Sequence, residues 1–259
     1  MYVLLTDETN SEPAKGITFF ITGGLFFPAK AFLPLDDGIE KIRRTNGYSP
    51  TDSLKFDSRS CPKGVTADQA KAAKSQVVDL CLKLECRFIA VVVHHSIITK
   101  ERAGKFLWPI DAVIAKFEYF LKEERAPGLC FLDNLPLKGG QWKYLSERFT
   151  QGLYLAPKQK YMPLRQIRLF AATCNNASHI SSATDIILGA FRYCVNQPQK
   201  AVLAKAMFAK VARMMHHKMI NGKRVLREYG LLLRPKTVTL SEYQEDYDKL
   251  IKHLSSLIN

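Results

Sequence analysis

The chain has 259 residues, 47% of them hydrophobic and 10% aromatic, which is enough to bury a core without disulfides and too apolar for a disordered chain. No apolar run approaches the roughly 20 residues needed to cross a bilayer, and Met1 to Asp7 has no basic leader, so neither membrane insertion nor secretion is expected. The formal net charge of +14 sets up a self-repulsion that an acidic partner would relieve.

Tyr2 to Thr6 is a short apolar run that ends in Asp-Glu-Thr-Asn, and it reads as a strand. Ile17 to Phe27, rich in Phe and Ile, predicts a second strand antiparallel to the first. Phe32 to Thr45 predicts a helix whose regular part begins late because of Pro34. Leu54 to Ser58 reads as a short strand. Thr66 to Leu84 has helical spacing, with Asp68 in its first turn. Arg87 to His94 is a buried strand by length and β-branching. Pro109 to Lys122 predicts a helix, and Leu129 to Leu132 a strand that runs into Asp133 and a turn at Asn134 and Pro136.

Gln141 to Thr150 predicts a helix, Ile167 to Ala172 a strand, and Ser181 to Val195 another helix. The remainder is expected to be helical, over Gln199 to Ile220 and Ser241 to Leu257. Two strands followed by alternating helices and strands predict an α/β fold with a mixed sheet flanked by helices. The pattern resembles a ribonuclease H-like core over residues 1–198, with a basic helical extension over 199–259 packed on it.

The six cysteines contain no Cys-x-x-Cys pair and mostly lie in apolar segments, as buried free thiols do, which points to a reducing, cytoplasmic compartment. His94-His95 and His216-His217 are adjacent pairs that chelate poorly alone, so zinc is not expected. No Gly-x-Gly-x-x-Gly or Walker pattern is present. Between Gln199 and Lys236 every charged residue is Lys or Arg except Glu228. Lys205, Lys210, Arg213, Lys218, Lys223 and Arg224 would track a nucleic-acid backbone, RNA or DNA, unless they are merely the solvated face of a helix packed through Val202, Met207, Val211 and Met214.

Three aspartates adjoin apolar elements. Asp7 shares a strand face with Val3 and Leu5, Asp133 shares one with Leu129 and Phe131, and Asp185 lies early in a largely uncharged helix. Singly, each fits a cap or turn. If they converge, their oxygens suit magnesium or manganese, which take carboxylates, water and substrate phosphate, and two such ions can drive phosphodiester hydrolysis.

The residues also carry a resemblance. Tyr2-Val-Leu-Leu-Thr-Asp-Glu-Thr, Ser53-Leu-Lys-Phe, Phe131-Leu-Asp and Ala183-Thr-Asp-Ile-Ile-Leu-Gly-Ala resemble, in order, four short motifs of the domain-of-unknown-function 3800 family. The match spans about residues 1 to 195. It implies a ribonuclease H-like fold and nuclease activity, with Asp7, Asp133 and Asp185 as metal ligands and Lys55 near the scissile phosphate. Ser53 departs from the pattern, since the family has Glu there. Asp57, expected on the same strand face as Ser53 and Lys55, is the substitute ligand this reading favours, with Asp52 and Glu8 also close in sequence. A different class of function, a catalytically degenerate nucleic-acid-binding or assembly protein on the same fold, accommodates Ser53 equally well.

Overall fold

A computed structural model describes residues 1–9, 16–97, 107–133, 140–155, 159–174, 177–197 and 201–258. The expected turn at Asn134 and Pro136, and the first residues of the helix expected from Gln199, lie outside them. The elements in chain order are β1 (Tyr2–Thr9), β2 (Phe19–Pro28), α1 (Phe32–Thr45), α2 (Ala67–Lys83), β3 (Arg87–His94), α3 (Leu107–Glu123), β4 (Gly128–Leu132), α4 (Gln141–Thr150), β5 (Leu153–Leu155), β6 (Lys160–Met162), β7 (Ile167–Ala172), α5 (His179–Asn196), α6 (Ala201–Met214), β8 (Lys218–Ile220), β9 (Lys223–Val225), β10 (Leu231–Arg234) and α7 (Ser241–Ile258).

The protein is α/β, with a six-stranded mixed sheet in the order β10-β3-β2-β1-β4-β7 and helices on both faces. β2 runs antiparallel to β1 and β3 on its two sides, β4 and β7 continue parallel from β1, and β10 lies parallel to β3. Alternation sorts the side chains into two layers. Val3, Leu5, Phe88, Ala90 and Val92 face α1, α2, α5, α6 and α7, while Leu4, Ile89, Val91 and Val93 face α3 and α4. β3, apolar along its whole length, is covered on both sides, as a central strand requires.

Local chemistry sets several boundaries. Thr66 and Gln69 form a reciprocal capping box that starts α2. Pro34 does not delay α1, which begins at Phe32, because a first-turn proline forfeits no helical hydrogen bond. Gly23 on β2 faces α5, where an added Cβ would lie 2.7 Å from Leu188 Cδ1; its lack of a side chain lets the helix settle close to the sheet. On the other face, Glu118 of α3 is 3% exposed and its carboxylate accepts the amides of Arg165, Gln166 and Ile167, fixing the entry to β7.

Two expectations are corrected. The segment after Gln197 is not simply helical: α6 stops at Met214, β8 and β9 form a hairpin, and β10 joins the central sheet. The hairpin turns at Asn221-Gly222, both with positive φ, which is the conformation that a two-residue type I′ turn demands. Leu54 to Ser58 is not a strand. The Phe56 amide donates to Asp185 and its carbonyl accepts from Lys74, so side chains satisfy the backbone groups that a ladder would otherwise use.

No described helix is long and apolar enough to cross a membrane. All six cysteines are free thiols, with Cys81, Cys86, Cys130 and Cys194 buried and Cys174 exposed.

Candidate functional site

β1 runs three residues beyond its expected end, so Asp7 lies within the strand, paired with Gly23 of β2. On its other side β1 pairs in parallel with β4, and the last register position is Thr6 with Leu132. Asp7 and Asp133 therefore follow side by side, on strands about 4.8 Å apart, and both belong to the face that α5 covers.

α5 brings the third carboxylate. It begins at His179, capped by the Ser178 hydroxyl, so Asp185 stands in its second turn, beyond the reach of the free amides at the helix start. Leu188, three residues on, packs over Gly23, the cross-strand partner of Asp7. This close approach carries Asp185 toward Asp7.

The electrostatics record the meeting. Burial, then repulsion from Asp133, then from Asp185, push the Asp7 carboxyl up to about 8. Burial also raises Asp185, although the Phe56 amide, Lys55 and Arg192 pull it back down. Glu8, the next residue of β1, is pushed up to about 7 by burial and by Asp133. It is a fourth acidic group of the same neighbourhood, and the Asp-Glu dipeptide was its signal in the sequence. The Glu8 amide donates to Asp7 Oδ1 at 2.8 Å.

Around Asp185 the chain forms a clamp on Phe56. The Phe56 amide donates to Asp185 Oδ2 at 2.6 Å, and Lys74 Nζ donates to the Phe56 carbonyl at 2.8 Å. The ring lies against Gly189, one turn beyond Asp185, where an added Cβ would sit 2.3 Å away. Lys74 Nζ and the Arg192 guanidinium each stand 5.7 Å from the ring centroid, and Arg192 also donates to Thr9 Oγ1. This clamp keeps Lys55, one residue before Phe56, close enough to Asp185 to stabilise its charge.

Asp57 is differently engaged. The strand face it was expected to share with Ser53 and Lys55 does not form. Its carboxylate accepts from the Arg59 amide and guanidinium, which hold it down at about 2. Among the described residues, no group of three or more His, Cys, Asp or Glu side chains is placed to hold a metal ion. Asp7, Asp133 and Asp185 share a field, and one oxygen of Asp185 is committed to Phe56.

No family model matches the chain, and no curated protein matches it either.

The basic residues singled out from the sequence are divided by the fold. Lys205, Lys210 and Arg213 lie on α6, and Lys210 pairs with Asp79 of α2 at 2.7 Å. Lys218 lies on β8, 3.8 Å from Glu123 of α3, on the opposite helix layer. Lys223 is exposed on β9. The Arg224 guanidinium donates to the carbonyls of Ala212 and Arg213, capping the end of α6. Sequence reasoning gave no role to Phe56, the last residue of the Ser53-Leu-Lys-Phe motif, and passed over Lys74 and Arg192, which lie outside the motifs; the three meet only through tertiary packing.

Proposed function

We propose that this protein is a divalent-metal-dependent nuclease of ribonuclease H-like fold, hydrolysing phosphodiester bonds in RNA or DNA. Three consecutive antiparallel strands followed by crossover strands parallel to the first support the fold assignment, and so does the ordered resemblance to the domain-of-unknown-function 3800 family. The observation that carries the functional reading is geometric: the β1–β4 register leads Asp133 alongside Asp7, and the packing of α5 on Gly23, the partner of Asp7, brings Asp185 toward them, with burial and the other two carboxylates pushing Asp7 up to about 8. A buried pocket that repels its own charge is suited to a cation.

In this reading Asp7, Asp133 and Asp185 hold magnesium or manganese. An ion held there would supply water activation and offset of phosphate charge. Asp7 and Asp133, fixed by the β1–β4 register, present their oxygens from rigid strands. Lys55, held in place by the Phe56 clamp, supplies a positive charge for a phosphate oxygen, worth most where charge develops. The net charge of +14 supports a nucleic-acid partner, and the free thiols support a reducing, cytoplasmic setting.

Ser53 and the commitment of Asp185 to the Phe56 amide favour a second reading, a nucleic-acid-binding or assembly protein that has lost catalysis. One experiment separates the two. The wild-type chain and Asp7→Asn are melted with and without manganese and then mixed with labelled RNA and DNA. The nuclease reading expects manganese to raise the wild-type melting temperature through mass action, to leave Asp7→Asn unmoved, and to be required for cleavage. Cleavage without metal, or full cleavage by Asp7→Asn, rejects it. Tight nucleic-acid binding with no response to metal selects the second reading.

A further inference from the structure

A cleft of about 930 Å³ opens between the 56–67 loop, α2, α5 and α6. Its size is that of a site for a small organic group. Lys63, Lys71, Lys74, Arg192 and Lys210 line it; Asp57, the lining carboxylate, is neutralised by Arg59 at 2.6 Å, and Lys210 pairs with Asp79 of α2 at 2.7 Å. Between the cations the wall is apolar, formed by Val78, Ile186, Ala190 and Met207. Phe56 lines the cleft and binds Asp185 through its amide, so one residue joins the cleft to the carboxylates.

We propose that this cleft receives an unpaired nucleotide of a single-stranded nucleic acid, its base against the apolar wall and its phosphates on the surrounding lysines. The inference rests on the nuclease reading and adds the substrate class to it. Two features select the occupant. Cations reach the cleft from the loop, α2, α5 and α6, which suits a ligand charged along its length rather than at one end. The apolar wall calls for a flat face, and a base exposes its face only when it is out of a duplex. Paired bases offer groove edges alone. A strand with one phosphate at the carboxylates would place its neighbouring nucleotide here, past Phe56.

The test measures binding by the full chain in EDTA, using fluorescence anisotropy of a labelled ten-nucleotide single strand and of the blunt duplex of the same sequence. The single strand is expected to bind about tenfold or more tightly than the duplex, with steep salt dependence. Lys63→Glu with Lys71→Glu, both exposed positions, should weaken single-strand binding by about tenfold or more. The control reversal, Lys122→Glu with Lys143→Glu on α3 and α4, should have a much smaller effect. Met207→Trp, which fills the cleft, should also weaken binding while melting like the wild type. Equal or tighter duplex binding overturns the proposal. So does a control reversal as damaging as the cleft reversal, or displacement of the strand by an acidic amphipathic peptide at equal concentration. Because no divalent ion is present, a failure to cleave in the previous assay leaves this result intact.

Discussion

The ring of Phe56 occupies the place where a side chain at Gly189 would be: a Cβ built there would lie 2.3 Å from the ring. The same pair of helix positions, one turn apart, supplies Asp185 to the Phe56 amide at 2.6 Å. Helix and loop are thus joined at one residue by a contact and a hydrogen bond.

Gly189→Val should therefore expel the ring and lengthen or break the Asp185 bond. Overpacking of this kind costs about 1–3 kcal/mol, read as a lower midpoint in a urea titration with unchanged slope. Adding Phe56→Ala to Gly189→Val should return part of that loss, giving a coupling energy in the double-mutant cycle. Additive losses would show that the two positions do not communicate.

Asp7→Asn should make the metal-free protein more stable while removing its response to manganese. The Asp7 carboxyl sits at about 8 in the folded state against 3.8 ordinarily. Between those values the folded chain keeps a proton that the unfolded chain has released, so stability is fully present below about 4 and drains away as pH rises toward 8. Asparagine pays no such charge. At pH 8 a shift of that size corresponds to about 5 kcal/mol, seen as a higher melting temperature that converges with the wild type near pH 4. A destabilised Asp7→Asn at pH 8 would refute the repulsion among the carboxylates.

Asp185→Ala should behave in the opposite sense. It leaves the Phe56 amide without its acceptor in a partly buried position, a loss of about 1–3 kcal/mol. The contrasting signs of Asp7→Asn and Asp185→Ala separate the member of the acidic pocket that is only strained from the one that also supports the loop.

His216 makes an acid-labile point on the other side of the sheet. Its ring is buried against Phe26, Phe120 and Tyr229. Burial, with Arg87, His217 and Lys116 nearby, pushes it down to about 4 from 6.5. The unfolded chain takes up a proton below pH 6.5 that the folded chain refuses until about 4, so stability is lost as pH falls across that window. His216→Phe should remove on the order of 2 kcal/mol of that loss, measured as the difference between wild-type and variant melting temperatures at pH 4.5 and pH 7.5.

Glu118→Ala should be among the most damaging single changes. Three consecutive amides at the entry to β7 would lose their shared acceptor, at about 3 kcal/mol or more for a buried charged acceptor. Glu118→Gln, which keeps one carbonyl oxygen, should lose less.

Much of this architecture was legible because it is periodic. Alternation along Val3, Leu5 and Asp7 predicted the strand face on which Asp7 lies, and helical spacing located Ala67–Lys83 within a residue at each end. What escaped falls into two kinds. The Asn221-Gly222 hairpin and the Leu231-Leu-Leu run after Gly230 carried strand signals, outweighed by the helical reading of their neighbours. The Phe56 clamp carried none: Lys74 lies on α2 and Arg192 on α5, and only packing brings them to one ring. The Leu54 to Ser58 segment was misread for the same reason, since its extended backbone is held by side chains instead of by a partner strand.

The pairing of β10 with β3 has a consequence for synthesis. A ribosome delivers the antiparallel trio early, but the rim of β3, apolar on both faces, meets His216 at Phe88 only late and the rest of its partner only when Gly230 to Arg234 emerge from the exit tunnel. During that interval the nascent chain carries an adhesive border that templates foreign strands. Shortened versions of this protein that stop before Leu231 should consequently accumulate as aggregates, and a chaperone's hold should matter most in the last stretch of translation.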